Sequence, residues 1–145
     1  QVVIVAHSMG GLAARAYLRA HGSGRVARVV TLGSPHHGTC LAGLAPGMNA
    51  AQMRRARCGE APESAWLRAL AAAETPATRA LVTSIYTWHD NIVAPQASSV
   101  LPGARNIAFG GVGHVALGSD PRILTCAIAE IQAARSFAAP QPADA

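Results

Sequence analysis

An α/β domain built on a parallel sheet is the fold class this sequence predicts, and three observations carry it. Short apolar, β-branched runs recur at strand length: Val2–Val5, Val26–Leu32, Ala80–Tyr86 and Asn106–Phe109. Helix-forming stretches alternate with them, beginning with Leu12-Ala13-Ala14-Arg15-Ala16-Tyr17-Leu18 and ending with an amphipathic segment from Asp120 to Phe137. Half of the 145 residues are apolar, enough to bury one core.

The first strand turns sharply into the first helix at Ala6-His7-Ser8-Met9-Gly10-Gly11. Such a turn forces its central residue, Ser8, into a strained backbone conformation with the side chain projecting off the sheet. Bulky side chains two positions either side would collide, which accounts for Ala6 and Gly10. A nucleotide-binding loop would spread its glycines further, and neither Gly-x-Gly-x-x-Gly nor a Walker lysine is present. His21-Gly22-Ser23-Gly24 stops the first helix. The strand Val26–Leu32 then leads into Gly33-Ser34-Pro35-His36-His37-Gly38-Thr39.

The periodicity changes between residues 40 and 79. Met48–Arg57 and Glu63–Glu74 read as two short helices joined by Cys58-Gly59-Glu60-Ala61-Pro62, with Trp66, Leu67 and Leu70 on one face of the second. The strand Ala80–Tyr86 leads into Trp88-His89-Asp90-Asn91-Ile92-Val93, and Asn106–Phe109 into Gly110-Gly111-Val112-Gly113-His114. Pro121 suits the first turn of the closing helix, which Asp120 would cap. The Pro/Ala-rich tail, 138–145, is expected to be disordered.

Ala6-His7-Ser8-Met9-Gly10-Gly11 resembles the nucleophile elbow of α/β-hydrolase lipases and esterases, bacterial lipases in particular. The Gly33-Ser34-Pro35-His36-His37-Gly38 stretch resembles the segment that follows the next strand in that family, and Trp88–Val93 resembles its acid loop. The resemblance covers roughly residues 1–117. It implies a partial α/β-hydrolase fold with about four parallel strands from the nucleophile strand onward, so that 1–137 would form the C-terminal part of such a domain. It also implies that earlier strands precede the elbow, leaving the first strand here an apolar edge. An insertion at about 40–79 commonly forms the lid in this family; a plain crossover packed on the sheet is the alternative.

Acyl transfer through a serine needs a histidine to take and return its proton, a carboxylate to orient that histidine, and N–H donors for the oxyanion. In this fold the three side chains hang from different strand ends in the order Ser, acid, His. The sequence supplies Ser8, Asp90 and His114 in that order. The glycines around His114 let the backbone return its ring toward the serine. Met9 would offer its backbone N–H, at a helix N-terminus, as one half of the oxyanion hole; the other half, by the resemblance, comes from a loop after an earlier strand. His7 and His37 are expected to pack around or line the site, and His36 with them. An adjacent histidine pair on a turn rarely converges on one ion, so no metal is expected, and no cofactor is implied.

The implied activity is hydrolysis of a carboxylic ester, the substrate being a small-molecule ester or lipid. The same triad could serve an acyltransferase, thioesterase or amidase, and a truncated, catalytically incompetent fragment or a non-catalytic binding module is the alternative of a different class. The net charge of +5 does not read as a nucleic-acid site: the arginines are scattered, few aromatics are interleaved, and only Arg54-Arg55-Ala56-Arg57 forms a cluster. That cluster suits a solvated helix face, with peripheral contact to an anionic lipid interface as the sharper reading. All twelve basic residues are arginine, a coding bias of GC-rich bacterial genomes. Cys40 and Cys58 lie in the same insertion; a bridge between them would suit an exported enzyme, and free thiols are the alternative. Cys126 reads as core.

Overall fold

The computed structural model describes residues 1–44, 46–57 and 60–138. Four parallel strands form the central sheet: β1 (Val2–His7), β2 (Val26–Leu32), β5 (Val82–Thr87) and β6 (Arg105–Phe109), in the spatial order β1-β2-β5-β6. Parallel neighbours need long crossovers. The first is α1 (Gly10–His21), ended at Gly22, whose φ of 71° is readily adopted without a side chain. The second carries α2 (Met48–Gln52), a two-stranded antiparallel hairpin of β3 (Arg55–Arg57) and β4 (Glu60–Glu63), α3 (Ala65–Ala72) and α4 (Pro76–Ala80). The chain closes on α5 (Pro121–Ala138).

Period-two alternation along the strands divides the apolar residues between two faces. Val30 and Leu32 of β2 and Ile85 of β5 pack with Val112, Leu117, Ile123 and Ala127 under α5. Val26, Val29 and Val82 pack on the opposite face with Ala14 and Leu18 of α1. A third cluster joins Leu12 of α1 to Leu67 and Leu70 of α3, with Trp66 packed against it, as the face shared by Trp66, Leu67 and Leu70 requires. Every residue of β5 is buried; its Thr83 hydroxyl donates to Glu130 at 2.8 Å and its Ser84 hydroxyl to the Ser99 carbonyl at 2.6 Å. Among the described residues β1 pairs on one side only, and Val2 and Val5 stand about half exposed.

Two expectations need correction. Met48–Arg57 is not one helix: α2 ends at Gln52 and Arg55–Arg57 pairs with Glu60–Glu63 as strands, which places part of the arginine cluster on a hairpin instead of a helix face. Arg and Ala are good helix formers, so local propensity over Arg55–Arg57 pointed the wrong way; strand pairing is decided by context. The strand expected from Ala80 starts at Val82, because Thr75 and Pro76 open a short helix that the Thr75–Thr78 capping box fixes. Gly10 does face Ala6 across the elbow, and the tightest position is the next one, Gly11. A methyl at Gly10 would stand 3.5 Å from the Ala6 Cβ, an ordinary contact, whereas one at Gly11 would stand 2.1 Å from Ser34 Oγ and 2.8 Å from Thr31 Cγ2.

Gly11→Ala is therefore expected to destabilise the fold although alanine is the better helix former. Overpacking of this kind costs about 1–3 kcal/mol or more, and a fall in Tm of several degrees measured by circular dichroism should report it. Gly10→Ala, tested alongside, should leave Tm close to that of the parent.

Cys40 is disulfide-bonded and Cys126 is a free thiol. Cys58, the other half of the expected bridge, lies outside the described residues, as does the expected tail from 139 on; α5 takes in Ala138.

Candidate active site

Ser8 is the one non-glycine residue with positive φ among those described, at 55°. That left-handed conformation costs an L-residue on the order of 1–3 kcal/mol, and the surrounding pairing holds it there. Ahead of it β1 is locked to β2, and the Ser8 amide donates to the Leu32 carbonyl at 2.8 Å. Behind it α1 begins at once, with the Gly11 amide bonded back to the Ser8 carbonyl at 3.1 Å. Met9 stands at the N-cap in α-helical conformation, which puts its amide among the free donors at the positive end of the helix.

The structure brings Ser8, His114 and Asp90 together from three strand ends. His114 follows β6 in a glycine-containing loop, and its Nε2 lies 2.9 Å from Ser8 Oγ. Its Nδ1 lies 2.8 Å from Asp90 Oδ2, both side chains being buried. Because a carboxylate only accepts, Nδ1 carries the proton and Nε2 is left as acceptor for the Ser8 hydroxyl. Asp90 follows β5, and its second oxygen accepts the amides of Ile92 at 2.8 Å and Val93 at 2.7 Å. Burial alone would raise the Asp90 pKa. Hydrogen bonds from His114, Val93 and Ile92, with the charge attraction of His114, outweigh it and hold the carboxyl below its ordinary 3.8.

Several supporting residues were not singled out in the sequence. Asn91 Oδ1 accepts the His114 amide at 3.3 Å. Gly33, at the end of β2 with φ 58°, passes beneath the pair so closely that a Cβ would stand 3.3 Å from both Asp90 Oδ2 and His114 Nδ1, and 2.4 Å from Leu117 Cδ1. A glycine directly after a strand, in the stretch Leu32-Gly33-Ser34-Pro35, was the available signal. Of the expected lining residues, His7 lies against the His114 ring at 4.8 Å between centroids and donates Nε2–H to the His114 carbonyl at 3.0 Å. It braces the backbone that carries the imidazole. His37 is half-buried, its amide bonded to the Ser98 carbonyl at 3.1 Å.

His36 does not line the site. It is 1% exposed, with Nε2 3.1 Å from Thr31 Oγ1 and its carbonyl accepting from Arg15 Nη1 at 3.0 Å. Burial first, then the adjacent Arg15 charge and His37, push its pKa well below the usual value and keep it neutral. Arg15, itself 1% exposed, is tied to Glu74 through Nη2–Oε2 at 3.0 Å, and Arg79 shares that carboxylate at 3.1 Å. The network fastens α1 to the loop after β2 and to the α3–α4 turn. No group of three metal-ligating side chains converges among the described residues.

With the four-stranded parallel sheet and its flanking helices, these strand-end loops define a protein of the α/β-hydrolase fold. Residues 1–46, which hold the elbow, α1, β2 and the Gly33–Gly38 loop, match a family described as PGAP1-like alpha/beta domain. Solved structures with similar architecture include bacterial lipases and esterases and other hydrolases. Bacillus licheniformis lipase BlEst2 in its mature form matches at 20% identity and a TM-score of 0.53, over 79% of this chain and 58% of that one. The esterase domain of a Rhodothermus marinus protein matches at 17% identity and 0.54, over 92% and 60%. Carboxylesterase CesB (YbfK) from Bacillus subtilis matches at 14% identity and 0.52, over 91% and 60%. The chain thus spans about 60% of the length of the structures it resembles.

Proposed function

We propose that this chain carries the serine nucleophile, the acid and the histidine of a hydrolase acting on carboxylic esters. The observation that carries the reading is the hydrogen-bonded line from Ser8 Oγ through His114 to Asp90, at 2.9 and 2.8 Å, anchored on a strained elbow. The likeness of the fold to lipases and esterases supports the same reading.

In the proposed cycle Ser8 Oγ attacks the ester carbonyl carbon while His114 Nε2 takes its proton. The oxyanion of the tetrahedral adduct points toward the Met9 amide, where helix donors and dipole favour negative charge. His114 then passes the proton to the leaving alkoxide oxygen, releasing the alcohol and leaving an acyl ester on Ser8. Water attacks that ester with His114 again as base, the acid departs and Ser8 regains its proton. Asp90 stays ionised throughout, fixing the tautomer and balancing the imidazolium charge.

The segment 40–79 is read as a cap beside this site. Its apolar Leu44 and Met48, 84% and 79% exposed, suit an edge that meets lipid or substrate.

A fluorophosphonate probe tests the reading, because it phosphonylates only an activated serine. Incubation followed by peptide mapping is expected to place one adduct on Ser8. An adduct elsewhere, or equal labelling of Ser8→Ala, overturns it.

A further inference from the structure

The hydrogen-bonded line through the site does not end at Asp90. Asp90 Oδ1 accepts the Val93 amide at 2.7 Å, the shorter of its two backbone bonds. That N–H shares one planar peptide with the Ile92 carbonyl, and in a trans peptide the two groups point in opposite directions. The Ile92 oxygen, on the far side, accepts the Thr39 hydroxyl at 2.8 Å. Whatever fixes that oxygen therefore aims the Val93 N–H at the carboxylate.

The Thr39 hydroxyl is fully committed to this task. Thr39 is 5% exposed, and its Oγ1 also accepts the amides of Ala94 at 3.1 Å and Leu41 at 3.4 Å. With both lone pairs taken, the hydroxyl proton is left for Ile92. The main chain beside it is fastened as well: the Thr39 amide donates to the Met53 carbonyl at 2.8 Å, and the Cys40 amide to the Ala94 carbonyl at 2.9 Å. Gln96 holds the acid from the other direction, its Nε2 donating to the Asp90 carbonyl at 2.8 Å. Residues 88–95 form neither helix nor strand, so these side-chain bonds replace the ladder that the loop lacks.

We propose that Thr39 and Gln96 are positioning residues for Asp90: Thr39 orients the carboxylate through the Ile92–Val93 peptide, and Gln96 holds the main chain that carries it. The inference rests on the serine-hydrolase reading and deepens it, extending the line of contacts from Ser8 to the loop after β2. Both residues act by keeping Asp90 Oδ2 square to His114 Nδ1. The proton then stays on Nδ1, and Nε2 stays free to take the one from Ser8.

Thr39→Val keeps the shape and removes the hydroxyl, whereas Thr39→Ser keeps the hydroxyl. On a p-nitrophenyl ester Thr39→Val is expected to lower kcat about tenfold with KM within about twofold of the parent, because a displaced acid impairs proton transfer and leaves binding alone. Thr39→Ser should recover most of that loss. A second readout needs no turnover. With histidine labelled for nitrogen NMR, and the His114 signals identified by their absence in His114→Gln, the parent is expected to show the ring proton on Nδ1. Thr39→Val should divide it between Nδ1 and Nε2, and Thr39→Ser should not. Gln96→Met, at a half-buried position, is expected to move both readouts the same way, and it decides the proposal if Thr39→Val does not fold.

Parent-like kcat and tautomer in Thr39→Val overturn the proposal. So does an equal loss in Thr39→Ser, since the hydroxyl would then not be what matters. A lowered Tm with the proton still on Nδ1 makes Thr39 a stabilising residue only and overturns it too. A proton displaced in Thr39→Val and retained in Thr39→Ser, in a chain without Ser8-dependent hydrolysis, supports the positioning and overturns the hydrolase reading.

Discussion

Ser8→Ala is expected to lower ester hydrolysis by on the order of 10⁴–10⁶-fold, a loss that only removal of the His114 imidazole should match. The size follows from the arrangement. In the proposed cycle the Ser8 hydroxyl is the group that bonds to the acyl carbon, and without it His114 has no serine proton to take along the 2.9 Å contact. Residual turnover above the uncatalysed rate should come from binding and amide donors alone, about 10³-fold over water. Steady-state kinetics on p-nitrophenyl octanoate, with circular dichroism to verify the fold, measures it. A loss of less than about 100-fold would remove Ser8 from the proposed cycle.

Asp90→Asn should cost about 10⁴-fold in kcat with little change in shape. The hydrogen-bond pattern says why. Oδ1 of Asp90 already accepts the Ile92 and Val93 amides, so the oxygen of an asparagine must keep that side. Its NH₂ is then left facing His114 Nδ1, where the carboxylate stood at 2.8 Å. A donor there forces Nδ1 to accept, the proton moves to Nε2, and Nε2 can no longer take a proton from Ser8. The defect should appear in kcat more than in KM.

The same carboxylate gives stability a pH dependence of known sign. Because folding lowers the Asp90 pKa from 3.8, its contribution is present above that value and is lost as pH falls through the folded value. The stability difference between parent and Asp90→Asn should therefore narrow as acid is taken below 3.8.

Legibility in the sequence followed the range of the forces involved. β2 is bounded at Val26 and Leu32 as its β-branched run indicates, and α1 starts at Gly10 because the elbow demands it. Ser8, Asp90 and His114 could be named as candidates because the resemblance supplies a chain order and strand-end positions that restrict the choice among seven acids and six histidines. The short helix α4 carried a local signal, Thr75-Pro76 followed by Thr78, that its length made easy to pass over. The hairpin β3–β4 carried none: Arg55-Ala56-Arg57 favours helix, Pro62 reads as a break in a connection, and only pairing made both segments strand. The buried Arg15–Glu74 pair joins positions 59 residues apart and has no pattern along the chain.

The left-handed backbone at Ser8 has a consequence for how this sequence could drift. Glycine adopts that conformation without strain, and serine does not. A lineage under selection for stability alone would be drawn to glycine at position 8. Folding and the proposed cycle ask for different residues there, and the serine that this chain keeps is the one the proposed cycle needs.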